Sequence, residues 1–170
     1  TLTLGVMERQ RRIFRAVEVF AGDSVPGARY DAARGIVLAR NGDQLTLHGA
    51  LVERIDGGFA LYRDRVTVAL TPETVVYKHR GSDQPLDIGA ISPGQRLRVL
   101  GELVEPAEGP VTIEARIVRM LLSTAAGTVN ESQPEYLSLD LQRMSGRNIS
   151  MFDFAGTGIS ADFDADPAAY

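Results

Sequence analysis

The sequence has no cysteine and no tryptophan, and aromatic residues fill only 6% of its 170 positions. Without cysteine there are no disulfides, thiolate metal sites or cysteine nucleophiles. The compartment is left open, since such a chain folds under either redox condition. Lys78 is the sole lysine, so 17 of the 18 basic residues are arginine. Acidic residues number 22 and the net charge is −4. No overall positive field therefore draws in nucleic acid, and no nucleic-acid partner is expected. No run approaches the ~18 apolar residues of a membrane-spanning helix. There is no initial methionine or signal peptide, and the last residues fall inside what reads as a repeat. That pattern is expected of a piece of a longer polypeptide.

What remains suits a folded domain, with 44% hydrophobic and 24% charged residues. Arginine in place of lysine fits carboxylate or phosphate recognition, but the codon usage of a GC-rich genome is the simpler account. Apolar residues alternate with polar ones, the period of a half-buried strand. Leu2-Thr3-Leu4 opens a short strand, Gln10-Arg11-Arg12 reads as a turn, and Ile13 to Phe20 as the returning strand. Gln44 to Glu53, a turn at Asp56-Gly57-Gly58 and Phe59 to Leu70 read as a second hairpin. Thr74 to Tyr77, Gln95 to Val104 and Val111 to Leu122 complete the strand set. The last of these has a helix-compatible composition, but its β-branched residues favour strand. Pro93-Gly94 marks a turn whose second central residue needs positive φ.

An internal repeat organises the chain. Gly35-Ile36-Val37 is followed by Leu45-Thr46-Leu47, and Gly127-Thr128-Val129 by Leu137-Ser138-Leu139, at an offset of 92 residues without a gap. Thr1 to Val25 reads as a third, partial copy, with Leu2-Thr3-Leu4 matched to Leu45-Thr46-Leu47. The expected organisation is a partial repeat at 1–31, a central barrel module at 32–123, and the start of an incomplete β module at 124–170. The expected fold class is all-β: small OB-like or Greek-key barrel modules with β-hairpins, in tandem. Closure into a barrel removes exposed strand edges.

Gly35-Ile36-Val37, Leu45-Thr46-Leu47, Val66-Thr67-Val68 with Thr74, Leu86-Asp87 to Gly101, and Ala115-Arg116-Ile117 carry a family resemblance. Within them, Ile91-Ser92-Pro93-Gly94-Gln95-Arg96-Leu97-Arg98-Val99 looks like a turn-then-strand element in which a Gly-Gln pair leads into an alternating strand. The central module resembles small OB-like β-barrel domains of unknown function, which occur, often in tandem, in bacterial secreted proteins and lipoproteins. The resemblance covers roughly half the chain. It implies a periplasmic, cell-surface or secreted setting and brings no catalytic residues. The charged hairpin Val52–Arg65 departs from the family pattern.

Chemistry-bearing constellations are sparse. His48 and His79 are the only histidines, and nothing such as Gly-x-Ser-x-Gly stands near them to build a triad. No metal or cofactor is expected. Asp162, Asp164 and Asp166 alternate as hard-cation ligands do, but Pro167 takes the place of the glycine an EF-hand loop requires. Gly156 and Gly158 lack the companions of a phosphate loop. Two basic clusters stand out: Arg9, Arg11, Arg12 and Arg15 at one hairpin, and Arg54, Arg63 and Arg65 at another. These are the expected ligand or partner contacts, offering an edge to glycans, lipid headgroups or other polyanions.

The expected function is that of a non-enzymatic, extracytoplasmic scaffold or assembly module, with sister repeats, envelope proteins or further copies of itself as partners. The alternative is a polyanion- or glycan-binding OB-like domain that uses the arginine-rich hairpin tips.

Overall fold

The computed structural model describes residues 2–8, 10–21, 25, 27–57, 60–78 and 84–154. Arg9, Phe59, His79, the Gly156–Gly158 pair and the Asp162–Asp166 run lie outside them. Two compact units divide the chain, residues 1–30 and 31–170.

The first unit is an antiparallel hairpin of β1 (Leu2–Glu8) and β2 (Ile13–Phe20). Its turn forms where Gln10-Arg11-Arg12 predicts it, with Arg12 at φ 54° and the Arg11 N–H donating to the Glu8 carbonyl at 3.1 Å. Met7, Phe14, Val17 and Val19 are exposed.

The second unit begins with β3 (Asp31–Asn41), β4 (Gln44–Glu53), β5 (Leu61–Ala69), β6 (Val75–Lys78), β7 (Arg96–Val104) and β8 (Thr112–Leu121). Strand order is β5-β4-β3-β7-β8, and β5 returns to pair with β8 in parallel at Thr67↔Thr112, Val68↔Ile113 and Ala69↔Glu114. The result is a closed five-stranded all-β barrel of OB-like topology, with β6 added in parallel along β8. The segment expected at Val111 to Leu122 forms the strand β8, Thr112–Leu121, as its β-branched residues indicate.

Period-two alternation explains the interior. Leu45, Leu47, Val66, Val68, Leu97, Val99, Ile113 and Val118 each have zero exposure and face one another across the barrel. The strands must bend to close, and β8 does so through a bulge opposite Leu100 and Gly101. A side chain at Gly101 would collide with the Glu114 carbonyl, so the close approach requires glycine.

The Pro93-Gly94 turn is as expected, with Gly94 at φ 90° and Gln95 N–H donating to the Ser92 carbonyl at 3.3 Å. Gln95 is buried beneath it. Its Oε1 accepts from Ser92 N–H at 3.0 Å and its Nε2 donates to the Ala90 carbonyl at 3.2 Å. The turn is tied to β3 by Gly94 N–H to the Val37 carbonyl (2.7 Å) and Val37 N–H to the Gln95 carbonyl (2.9 Å). Arg40 is also buried, and spends its guanidinium on the backbone carbonyls of Gly42, Ile88 and Ile91 at 2.8–2.9 Å. It thereby pins the 3-10 turn Ile88–Ala90 to the end of β3.

Beyond β8 come β9 (Ala125–Ser132), β10 (Leu137–Met144) and β11 (Arg147–Asn148), a separate three-stranded sheet followed by a 3-10 turn at Ile149–Met151. Its end docks on the outside of β3. Met144 and Phe152 pack with Ile36 and Leu38, and Asp153 N–H donates to the Leu38 carbonyl at 2.8 Å. This explains why β3 carries apolar residues without alternation: it is buried on both faces.

Arg40→Met should lose the charge-assisted bonds while keeping the side-chain volume. We expect a loss of about 2–3 kcal/mol, which lowers the thermal midpoint by about 4–12 °C. A thermal melt followed by circular dichroism measures this; an unchanged midpoint would mean the three carbonyls are as well served by water.

Candidate functional site: an arginine face on the barrel

The strands that place Ala33, Leu97, Val99, Val118 and Met120 inside the barrel necessarily place their neighbours outside. Those neighbours include Arg34 on β3, Arg96 and Arg98 on β7, and Arg119 on β8. Register aligns three of them in one row: Arg34 stands opposite Arg98, and Arg98 opposite Arg119. The row ends at Tyr77 of β6, paired with Arg119, whose guanidinium lies 5.5 Å from the ring centroid. That spacing is a cation–π contact. Two residues along, Arg96 stands beside Ile36 and Leu121.

Like charges directly opposite one another on a sheet repel. Arg98, in the middle, carries the cost. Burial and the guanidinium of Arg34 lower its pKa from the ordinary arginine value, and Arg119 adds to this; only Glu53 pulls the other way. The Arg98 Nε is buried with no hydrogen-bond partner. Among the described residues, Arg34, Arg96, Arg98, Arg119 and Arg147 form no ion pair, whereas Arg15, Arg54, Arg63, Arg65 and Arg116 all do.

A cleft of about 340 Å³ opens beside the row. Arg34, Arg96, Arg147 and His48 line it, with apolar wall from Ile36 and Leu121. The cleft lies at a bulge, where two residues of β4, Gly49 and Ala50, face Gly35 of β3. Arg147 comes from β11, and its guanidinium sits against Gly49, where a Cβ would strike it. His48 Nδ1 lies 3.2 Å from Asp64 Oδ1.

Planar guanidinium forks suit carboxylate, sulfate or phosphate oxygens. The face can hold several such groups in a row. His48 adds an imidazole to the cleft wall, and its carboxylate neighbour Asp64 is exposed.

The two basic clusters singled out from sequence have other surroundings. Arg11 and Arg12 are exposed at the β1–β2 turn, and Arg15 pairs with Glu8 within the hairpin. Arg54 lies 3.4 Å and Arg63 3.8 Å from the same carboxylate, Glu105, and Arg54 also reaches Asp56 at 3.6 Å. Arg65 lies 3.9 Å from Asp64. Sequence reasoning passed over the Arg34–Arg98–Arg119 row. The one available signal was Arg96-Leu97-Arg98, charge at both outward positions of a strand.

Comparison with protein families, curated proteins and solved structures finds no match for the chain. The site is therefore read from its own geometry.

Arg98→Leu keeps the strand pattern and removes the central charge. The thermal midpoint at low salt should hold or rise by the equivalent of about 0.2–1 kcal/mol. The stabilisation that added salt gives the wild type should shrink in the variant. A lower midpoint at every salt concentration would count against like-charge strain at this row.

Proposed function

We propose that the chain is a non-enzymatic, extracytoplasmic β-barrel module that binds a polyanion along its arginine face. The observation that carries this reading is the row Arg34–Arg98–Arg119: three adjacent guanidiniums, opposed across strands, forming no ion pair among the described residues and offset only by Glu53 near Arg98. Such an arrangement costs stability by itself, and an anion laid across it repays that cost. The ligand class is a polymer bearing carboxylate, sulfate or phosphate groups, such as an acidic glycan. Single-stranded nucleic acid fits less well. It wants aromatic platforms beside the cations, and the one aromatic ring in the row, Tyr77, already lies under Arg119.

The extracytoplasmic setting rests on the resemblance to OB-like domains of unknown function that occur in tandem in bacterial secreted proteins and lipoproteins. Among the described residues no helix is long and apolar enough to cross a membrane. A second reading, a scaffold or assembly module, is favoured by a separate observation: both hairpins outside the barrel, β1–β2 and β9–β10, expose apolar residues.

Titration with a sulfated glycan such as heparin tests the first reading. Affinity should fall steeply with salt. The triple substitution Arg34→Ala, Arg98→Ala, Arg119→Ala should weaken binding by at least about tenfold and flatten the salt dependence. Arg54→Ala with Arg63→Ala should leave it nearly unchanged, since those side chains are paired with Glu105 and Asp56. Equal losses from both sets would move the site to the hairpin tip, and no binding at low salt would overturn the reading.

A further inference from the structure

Three guanidiniums from three strands line the cleft beside the arginine row. Arg34 belongs to β3, Arg96 to β7 and Arg147 to β11. Arg34 and Arg96 are diagonal neighbours on the barrel, because Arg34 stands opposite Arg98 and Arg96 opposite Ile36. Diagonal positions lie within reach of long side chains. Among the described residues no acidic side chain lines the cleft. None of the three arginines forms an ion pair there, although carboxylates elsewhere on the surface hold Arg54, Arg63 and Arg116.

The fold holds Arg147 in this place. Ser145 and Gly146, at φ 48° and 81°, make the tight turn between β10 and β11. Positive φ at both central residues matches the twist of a two-residue hairpin turn. That turn sets Arg147 opposite Met144. Met144 is 2% exposed and packs with Ile36 and Leu38 on the outer face of β3. β11 is thereby anchored beside the cleft through a buried side chain. Gly49 makes room for the guanidinium on the facing wall. Its φ is 59°, and a Cβ there would stand 2.6 Å from the Arg147 Nη2. Glycine serves both the backbone angle and the close approach.

Three guanidiniums in one cleft select among anions. A carboxylate has two oxygens, which one or two forks satisfy. A phosphate or sulfate monoester presents three terminal oxygens and so offers an acceptor to each of three forks. The cleft, about 340 Å³, is larger than a single oxyanion fills and lies at the lower end of small-ligand sites. Ile36 and Leu121 give an apolar wall to the unit that carries the ester. We propose that the cleft is the anchoring subsite for one phosphate or sulfate monoester group, held by Arg34, Arg96 and Arg147. Arg34 also belongs to the row, so a polymer anchored in the cleft continues over Arg98 and Arg119. This inference rests on the polyanion reading and narrows its ligand from any acidic polymer to a phosphorylated or sulfated one.

His48 lines the cleft and reports on it. The chain has two histidines, so its imidazole proton spectrum holds two sets of signals, and His48→Asn assigns them. Inorganic phosphate, sulfate and acetate are titrated separately into the full chain at fixed pH and ionic strength. Phosphate and sulfate should shift the His48 signal saturably, and acetate should bind at least about tenfold more weakly. The tighter of the two tetrahedral anions identifies the ester. Arg147→Gln should weaken both by about tenfold or more, the loss of one charge-assisted contact. Arg96→Gln is the second variant, should the first fold poorly. Arg119→Gln, in the row but outside the cleft, should leave both dissociation constants within about twofold. No saturable shift, acetate bound as tightly, or equal losses from Arg119→Gln and Arg147→Gln would each overturn the subsite. Heparin separates the two levels of failure. Heparin binding that still depends on Arg98 and Arg119 leaves the polyanion reading standing without the subsite, whereas binding of neither heparin nor the small anions overturns both.

Discussion

Three residue pairs, Thr67↔Thr112, Val68↔Ile113 and Ala69↔Glu114, turn an open sheet into a barrel. Without them β5 and the Thr112–Glu114 end of β8 would each present an unpaired edge, and Val66, Val68 and Ile113 would lose the far wall against which they pack. Closure requires curvature, and the curvature is concentrated at bulges. The one at Gly101 lets β7 and β8 approach more closely than any side chain permits, and the one at Gly35 and Gly49 bends β3 against β4. Beyond Gly35, Ile36 and Leu38 point outward and supply the seat for Met144 and Phe152.

Closure also fixes which outward side chains become neighbours. Once β3, β7 and β8 are locked in register, Arg34, Arg98 and Arg119 have nowhere to diverge, because the inward positions between them are filled by Val99 and Val118. The electrostatic cost falls on the central guanidinium, Arg98, which burial and its neighbours already disfavour as a cation. Local rules broken without an internal compensation mark functional positions more often than structural ones. The arginines around the β4–β5 turn show the contrast. Arg54 and Arg63 converge on Glu105, an ordinary surface arrangement worth little energetically.

The hairpins outside the barrel repeat features of those inside it. β9–β10 and β1–β2 keep the register, bulges and glycines that curve a sheet toward closure, but each has one apolar face in water. Open edges with an adjacent apolar face are what natural sheets cover, twist away or charge.

Much of the fold was legible in the linear pattern. Alternation placed β2 and β4 to the residue, the β-branched content of Val111 to Leu122 signalled β8, and Pro93-Gly94 signalled the turn before β7. These features are local, since side-chain period and turn stereochemistry are written in neighbouring residues. The arginine face was not legible, because its members lie at positions 34, 98 and 119 and meet only across strands. Nor could Leu2-Thr3-Leu4 be assigned to its counterpart by likeness alone, since it matches Leu45-Thr46-Leu47 in letters but stands at the place of Arg98-Val99-Leu100 in register. By itself the sequence determined an all-β chain of hairpins with a period-two core. Only the tertiary structure decided which cations are neutralised and which stand together without an ion pair. Lateral adjacency in a sheet depends on register and bulges between strands distant in sequence, and no spacing along one strand encodes it.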